Sequence, residues 1–275
     1  MTEIKKRRLP GVFLLPNLIT TAALFSGFYS IIASVNADFI SASIAILAAM
    51  VLDGLDGRIA RLTNTQTSFG EYYDRLSDMI CFGLSPAILV YMWSASLFDL
   101  QSWQTNKLPW IICFVYVASA AIRLARFNSK SQTLDKKYFI GLASPAAAAV
   151  IITFIWMTEL SSTALLAQKW VGLFMLPVLS FLMMSNITYY SFKDLKLRKS
   201  VPFLMVVMIA LVLVLVSQDP PLIFFITFVS YSLSGFFLYL YRRARGFNPG
   251  FIAEENIFET EFLDTEKQPD HKHRS

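Results

Sequence analysis

Four carboxylates stand close together in a chain that is otherwise mostly apolar: Asp53, Asp56, Asp74 and Asp78. Asp53 and Asp56 are three positions apart, and Asp74 and Asp78 are four apart. On a helix either spacing puts both side chains on one face. Two such pairs on neighbouring helix ends form a pocket of four negative charges, which a low-dielectric setting tolerates only when cations neutralise it. Hard oxygen ligands select Mg2+, Mn2+ or Ca2+ over softer metals, and two divalent ions balance four carboxylates. Gly57 and Ala60 lie beside the acids on the first helix. Small residues there let a bulky ligand reach the backbone. Arg61, one turn beyond Gly57, can hold a phosphate oxygen or pair with a carboxylate. Carboxylates, divalent metals, small residues and an arginine together suit a phosphate-bearing substrate.

These residues need helices to carry them, and the composition says which kind. Hydrophobic residues make up 55% of the chain and charged residues only 16%. Soluble domains carry roughly 25% charge, so a polytopic membrane protein is expected. The mean hydropathy of +0.53 agrees. At about 20 apolar residues per span, eight spans are expected, over 12–34, 39–61, 75–98, 109–127, 139–158, 168–190, 201–217 and 222–241. The basic start, Lys5 to Arg8, reads as the flank of an uncleaved first span. Arg58 and Arg61, then Arg123 to Lys137, then Lys193 to Lys199, then Arg242 to Arg245 all fall on that same side. The opposite loops hold little basic charge, so both termini and the acidic cluster are expected in the cytoplasm. The net charge of +5 is explained by this loop asymmetry, not by nucleic-acid binding. Cys81 and Cys113 sit in apolar runs and read as small buried side chains. His271 and His273 lie in a polar, acidic tail that is expected to be loosely ordered.

The stretch from Asp53 to Asp78 resembles the signature of the CDP-alcohol phosphotransferase family at every fixed position: Asp, two residues, Asp-Gly, two, Ala-Arg, eight, Gly, three, Asp, three, Asp. That resemblance implies an all-α polytopic membrane protein with a six-helix core, commonly dimeric. It implies transfer of a phosphoalcohol from a CDP-alcohol to a second alcohol, with release of CMP. Carried over by position, Asp53 and Asp74 bridge two metal ions, Mg2+ or Mn2+, and Ca2+ also fits the oxygen set. Asp56 completes one site. Asp78 borders the other and takes the proton from the attacking hydroxyl. Gly57, Ala60, Arg61 and Gly70 line the CDP-diacylglycerol side, with Thr67 placed to join them. The segment Pro16-Asn17-Leu18-Ile19-Thr20 resembles the family's first-helix motif, which points Asn17 and Thr20 at the nucleotide; helix capping after Pro16 is the structural alternative for both.

The acceptor side rests on flanking segments. Arg123-Leu124-Ala125-Arg126-Phe127-Asn128, Gly141-Leu142-Ala143-Ser144-Pro145 and Met184 to Lys193 resemble the family's bacterial phosphatidylserine synthase branch, with Ala143 where that branch carries a proline. The resemblance implies L-serine as acceptor. Arg123 or Arg126, with Asn128, would then hold it, although positive-inside anchoring also accounts for the arginines. A glycerol-phosphate acceptor, as in a phosphatidylglycerophosphate synthase, would also use them. Residues 1–193 are expected to form the catalytic membrane domain, 194–245 two additional transmembrane helices, and 246–275 a cytoplasmic tail. Placement in a bacterial inner membrane, among membrane lipids and as a homodimer, completes the expectation. Two other classes compete. An ion or proton transporter would spread carboxylates through several spans in matched halves, whereas these four share one level. A noncatalytic lipid-binding scaffold has no need of the complete motif.

Overall fold

The computed structural model describes residues 14–63, 65–95, 107–130, 138–161, 166–190 and 216–244, with Leu211 and Val214. Two apolar helices open it, α1 (Leu14–Val35) and α2 (Phe39–Thr63). Their turn is closed from both ends. The Ala37 N–H donates to the Ser34 carbonyl and the Asp38 N–H to the Ala33 carbonyl. This double bond pattern ends a helix through one left-handed residue, here Ala37 at φ 59°. Asp38 then caps α2, accepting from the Ser41 N–H at 3.1 Å.

The third span is one continuous rod of three parts: α3 (Ser68–Asp78), a π-helical turn (Met79–Leu84) and α4 (Ser85–Trp93). Thr67 starts it by accepting the Gly70 N–H at 3.0 Å. Pro86 explains the π turn. It has no N–H to give the Phe82 carbonyl one turn back, and a proline ring crowds that carbonyl in a regular helix. The Tyr116 hydroxyl satisfies the Phe82 carbonyl instead, at 3.1 Å. Apolar counting expects this span over 75–98, but the helix begins at Ser68. Its first turns are amphipathic, carrying Glu71 and Arg75 outward, so the helix outruns the apolar stretch.

α5 (Lys107–Lys130) is followed by β1 (Tyr138–Ile140), α6 (Ser144–Leu160), α7 (Leu166–Met184), β2 (Thr188–Tyr190) and α8 (Pro220–Ala244). The fifth span differs from expectation at its start and the sixth at its end. Residues 139–143 and 185–190 leave the helices, because β1 and β2 pair antiparallel, Phe139 opposite Tyr189. Gly141, at φ 76°, makes the turn into α6, and its N–H donates to the Ile187 carbonyl at 2.8 Å. A side chain there would run into the Met183 carbonyl.

Six helical spans among the described residues are long and apolar enough to cross a membrane. α6 has 17 residues, about 26 Å of rise, and is buried on nearly every face. It is the central helix, touched by α2, α4, the π turn, α7 and α8. Ala146 to Ala149 let those neighbours come close. Cys81 and Cys113 are buried, as expected. The architecture is the expected all-α one, with the short β1–β2 ladder as its single addition among the described residues. The span expected over 201–217 and the tail fall largely or wholly outside those residues.

Candidate active site

α1 positions the acids, because it packs against both helices that carry them. The Ser26 hydroxyl donates to the Ala45 carbonyl of α2 at 2.8 Å. The Ser85 hydroxyl reaches the Gly27 carbonyl at 2.9 Å from the third span. Cys81 lies so close to Gly27 that an added Cβ would stand 2.6 Å from its sulfur. Such interhelical hydrogen bonds stabilise membrane helices by only about 0.6 kcal/mol each, and a small residue such as Gly27 is what lets the helices approach closely.

Held this way, α2 and α3 bring their acids together. One oxygen each of Asp53, Asp56 and Asp74 lies within 4.8 Å of the others. Asp78 stands beside this triad and interacts with Asp53 and Asp74. Asp56 is 4% exposed and takes the Thr20 hydroxyl on Oδ2 at 2.6 Å. The same hydroxyl is 3.1 Å from the Pro16 carbonyl. Asp74 Oδ1 and Asp78 Oδ1 are buried with no hydrogen-bond partner among the described residues. Buried carboxylate oxygens crowded together without donors are costly until a cation binds them. The donor set is hard oxygen throughout, so the residues fit the divalent ions expected of them.

Around the acids the expected residues separate by role. Gly57 faces open space: an added Cβ would meet nothing within 4 Å. Ala60 is half-buried, and Arg61 is exposed with no ion pair among the described residues. Gly70 packs against Asn17 Oδ1 and Thr67 Oγ1, with an added Cβ 3.1 Å from each. Asn17, Thr67 and Gly70 therefore form one cluster at the start of α3, where Thr67 also serves as the cap.

The two arginines of α5 part company. Arg123 turns inward, donating through one terminal nitrogen to Ser144 Oγ at 2.9 Å. It interacts electrostatically with Asp78, while its Nε is buried without a hydrogen-bond partner among the described residues. Arg126 instead bonds the Met184 carbonyl at 3.3 Å and the Asn186 side chain, fastening α5 to the end of α7. The side chain of Asn128 lies outside the described residues. Sequence reasoning missed Ser144 as the partner of Arg123. It also missed Asn186 as the partner of Arg126, although both lie in segments it singled out. No spacing rule pairs residues so far apart in the chain.

A model of the CDP-alcohol phosphatidyltransferase family matches residues 13–233. The CDP-diacylglycerol–serine O-phosphatidyltransferase of Helicobacter pylori is 34% identical over 203 residues, covering 74% of this chain and 83% of that protein. The protein of the same name from Mycobacterium leprae is 31% identical over 153 residues, 54% of this chain and 48% of its own length. The archaetidylserine synthase of Methanothermobacter thermautotrophicus is 34% identical over 188 residues, 66% of this chain and 72% of that protein. With its complete acidic signature gathered into one site and most of its length matched, the chain belongs to the CDP-alcohol phosphatidyltransferase family.

Proposed function

We propose that this membrane enzyme transfers the phosphatidyl group of CDP-diacylglycerol to the hydroxyl of L-serine, giving phosphatidylserine and CMP. The observation that carries the reading is the gathering of the acids, with the inward-turned Arg123 interacting electrostatically with Asp78 beside them. The relatives' names supply the acceptor, since they act on serine by name at 31–34% identity.

Asp53, Asp56 and Asp74 would hold the divalent ions, with Asp78 at their border. When bound, such ions polarise the diphosphate and offset the charge that grows on departing CMP. The open side of Gly57 leaves room for the donor's diphosphate beside the helix backbone, with Ala60 and Arg61 next along the same helix. Arg61 has no ion pair among the described residues, so its guanidinium is available to a phosphate oxygen. Asn17, Thr67 and Gly70 border the donor from α1 and α3. Thr20 keeps Asp56 oriented. Arg123 receives the serine carboxylate and brings its hydroxyl toward Asp78.

Asp78 takes the hydroxyl proton as the serine oxygen attacks the phosphatidyl phosphorus. The new phosphorus–oxygen bond forms while the bond to CMP breaks, and CMP leaves with that electron pair. Direct displacement is favoured because Asp78 already serves as base, leaving no nucleophile for a covalent intermediate. The enzyme would work at the cytoplasmic face of a bacterial inner membrane, as a homodimer, with residues 1–193 as its catalytic part. An acceptor screen tests the reading. With one CDP-lipid donor, L-serine should release CMP, while glycerol 3-phosphate, inositol and choline should not; release with another acceptor and none with serine would refute it.

A further inference from the structure

The third span changes helix type directly after Asp78. The π turn, Met79–Leu84, ends with the Ser85 N–H reaching back to the Ile80 carbonyl, one residue further than an α-helix reaches. Each residue of an α-helix advances about 100° around the axis, and a π turn holds about one residue more than an α turn. In an uninterrupted α-helix, Asp74 and Asp78 would therefore stand about 100° from their present direction, measured against the buried side of α4. That side carries Leu89, Val90 and Trp93, packed into the core. The π turn thus sets the angle between the part of the rod that is anchored in the core and the part that carries the acids.

Two neighbours hold the turn. On one side is α1. The Ser85 hydroxyl lies 2.9 Å from the Gly27 carbonyl and 2.8 Å from the Ile80 carbonyl. The Cys81 thiol donates to the Ala23 carbonyl at 3.3 Å. On the other side is one face of α5, where Tyr116, Ala120 and Arg123 follow at helical intervals. Tyr116 is fully buried, and its hydroxyl donates to the Phe82 carbonyl at 3.1 Å. An added Cβ on Gly83 would stand 3.3 Å from Ala120 Cβ, so α5 lies close against the turn there. The Phe82 carbonyl is the one that Pro86 leaves without an α-helical partner. Tyr116 supplies from another helix the bond that the proline withholds, and so supports the π form over the α form.

We propose that this π turn aims the acid face of the third span, and that Tyr116, acting through the Phe82 carbonyl, is a positioning residue for Asp78. This rests on Asp78 as the base of the reaction given above, and adds what holds that base at its angle. Asp78 adjoins the turn. Asp74 lies one helical turn further away, next to Tyr73, whose hydroxyl is bonded to that of Thr21 on α1 at 2.9 Å. Asp53 and Asp56 lie on α2. A loosened turn therefore moves Asp78 most, and its effect falls on turnover before it falls on donor binding.

Two variants with opposite effects on the fold test this, in the full-length chain in detergent with CDP-diacylglycerol, L-serine and Mn2+. Tyr116→Phe removes the hydroxyl and leaves a buried carbonyl unpaired, so its melting temperature should fall. Pro86→Ala restores an N–H that favours the α form, so its melting temperature should hold or rise. Both should nonetheless lower kcat about 10-fold, with the KM for CDP-diacylglycerol and the number of labelled-donor sites per chain within about 2-fold. A role in stability alone would make activity follow the melting temperature and spare Pro86→Ala. The proposal is overturned if kcat in either variant stays within about 2-fold of the unaltered protein, or if its loss is matched by a loss of donor sites. Should Tyr116→Phe not fold, Pro86→Ala decides alone. Those outcomes leave the serine reading intact, whereas no serine-dependent CMP release from the unaltered protein would overturn both.

Discussion

The Thr20 hydroxyl lies 2.6 Å from Asp56 Oδ2 and joins α1 to the acidic cluster carried by α2 and α3. It fixes the Asp56 carboxylate, while Asp74 Oδ1 and Asp78 Oδ1 have no hydrogen-bond partner among the described residues. Partners one step behind metal ligands commonly carry 10- to 100-fold in metal affinity or activity. Thr20→Val keeps the shape and removes the donor, and should lower kcat/KM about 10-fold at limiting Mg2+, with partial recovery as Mg2+ is raised. Thr20→Ser should stay near the unaltered protein. Titration of activity against Mg2+ separates the two.

Gly57 gives the opposite signature. An added side chain has open space around it, and a helical glycine costs up to about 1 kcal/mol relative to better helix formers. Gly57→Leu should therefore leave the melting temperature unchanged or slightly raised. Activity should fall about 100-fold, because the added side chain displaces the donor from its reacting position. Thermal unfolding and donor KM, measured on the same sample, check both halves.

Asp78→Asn should cost about 100-fold or more in turnover, the size of a lost general base. CDP-diacylglycerol should still bind, since the triad of Asp53, Asp56 and Asp74 is intact. Binding of labelled donor beside a CMP-release assay reads both, and near-normal turnover would remove Asp78 from the proton-transfer role.

At the far end of the α1–α2 hairpin, Asp38 carries a pH-dependent contribution to stability. Donors from the Ser41 side chain and backbone hold its carboxyl below the ordinary value of 3.8. A lowered value means the stabilisation is present above 3.8 and is lost as pH falls through the folded-state value. Asp38→Ala should therefore melt slightly earlier than the unaltered protein at pH 7, with the difference vanishing in strong acid. Asp38→Asn, which can still cap, should lie between them.

The cluster was legible in the sequence because its spacing is local. Three- and four-residue intervals fix a helix face wherever the helix goes, and Asp53, Asp56, Asp74 and Asp78 met as expected. The start of α3 was not legible from apolar length, since the capping Thr67 and the outward Glu71 and Arg75 extend a helix without adding hydrophobicity. The β1–β2 ladder escaped for a different reason: two three-residue strands 48 or more positions apart pair through backbone, which leaves little trace in side-chain pattern. Charge alone also did not separate Arg123 from Arg126. Three residues apart on α5, they differ only in what the other helices present to them: Ser144 and Asp78 for one, Asn186 and the Met184 carbonyl for the other.

The most direct test of the account removes the ions. CMP release from CDP-diacylglycerol and L-serine should stop when the purified chain is treated with a chelator, and return on adding Mg2+ or Mn2+ in excess. In Asp53→Asn, whose side chain lies at the centre of the acidic group, the same addition should restore little or none. Serine-dependent CMP release that persists at full rate after complete chelation would contradict the claim that these four acids act by sharing divalent cations.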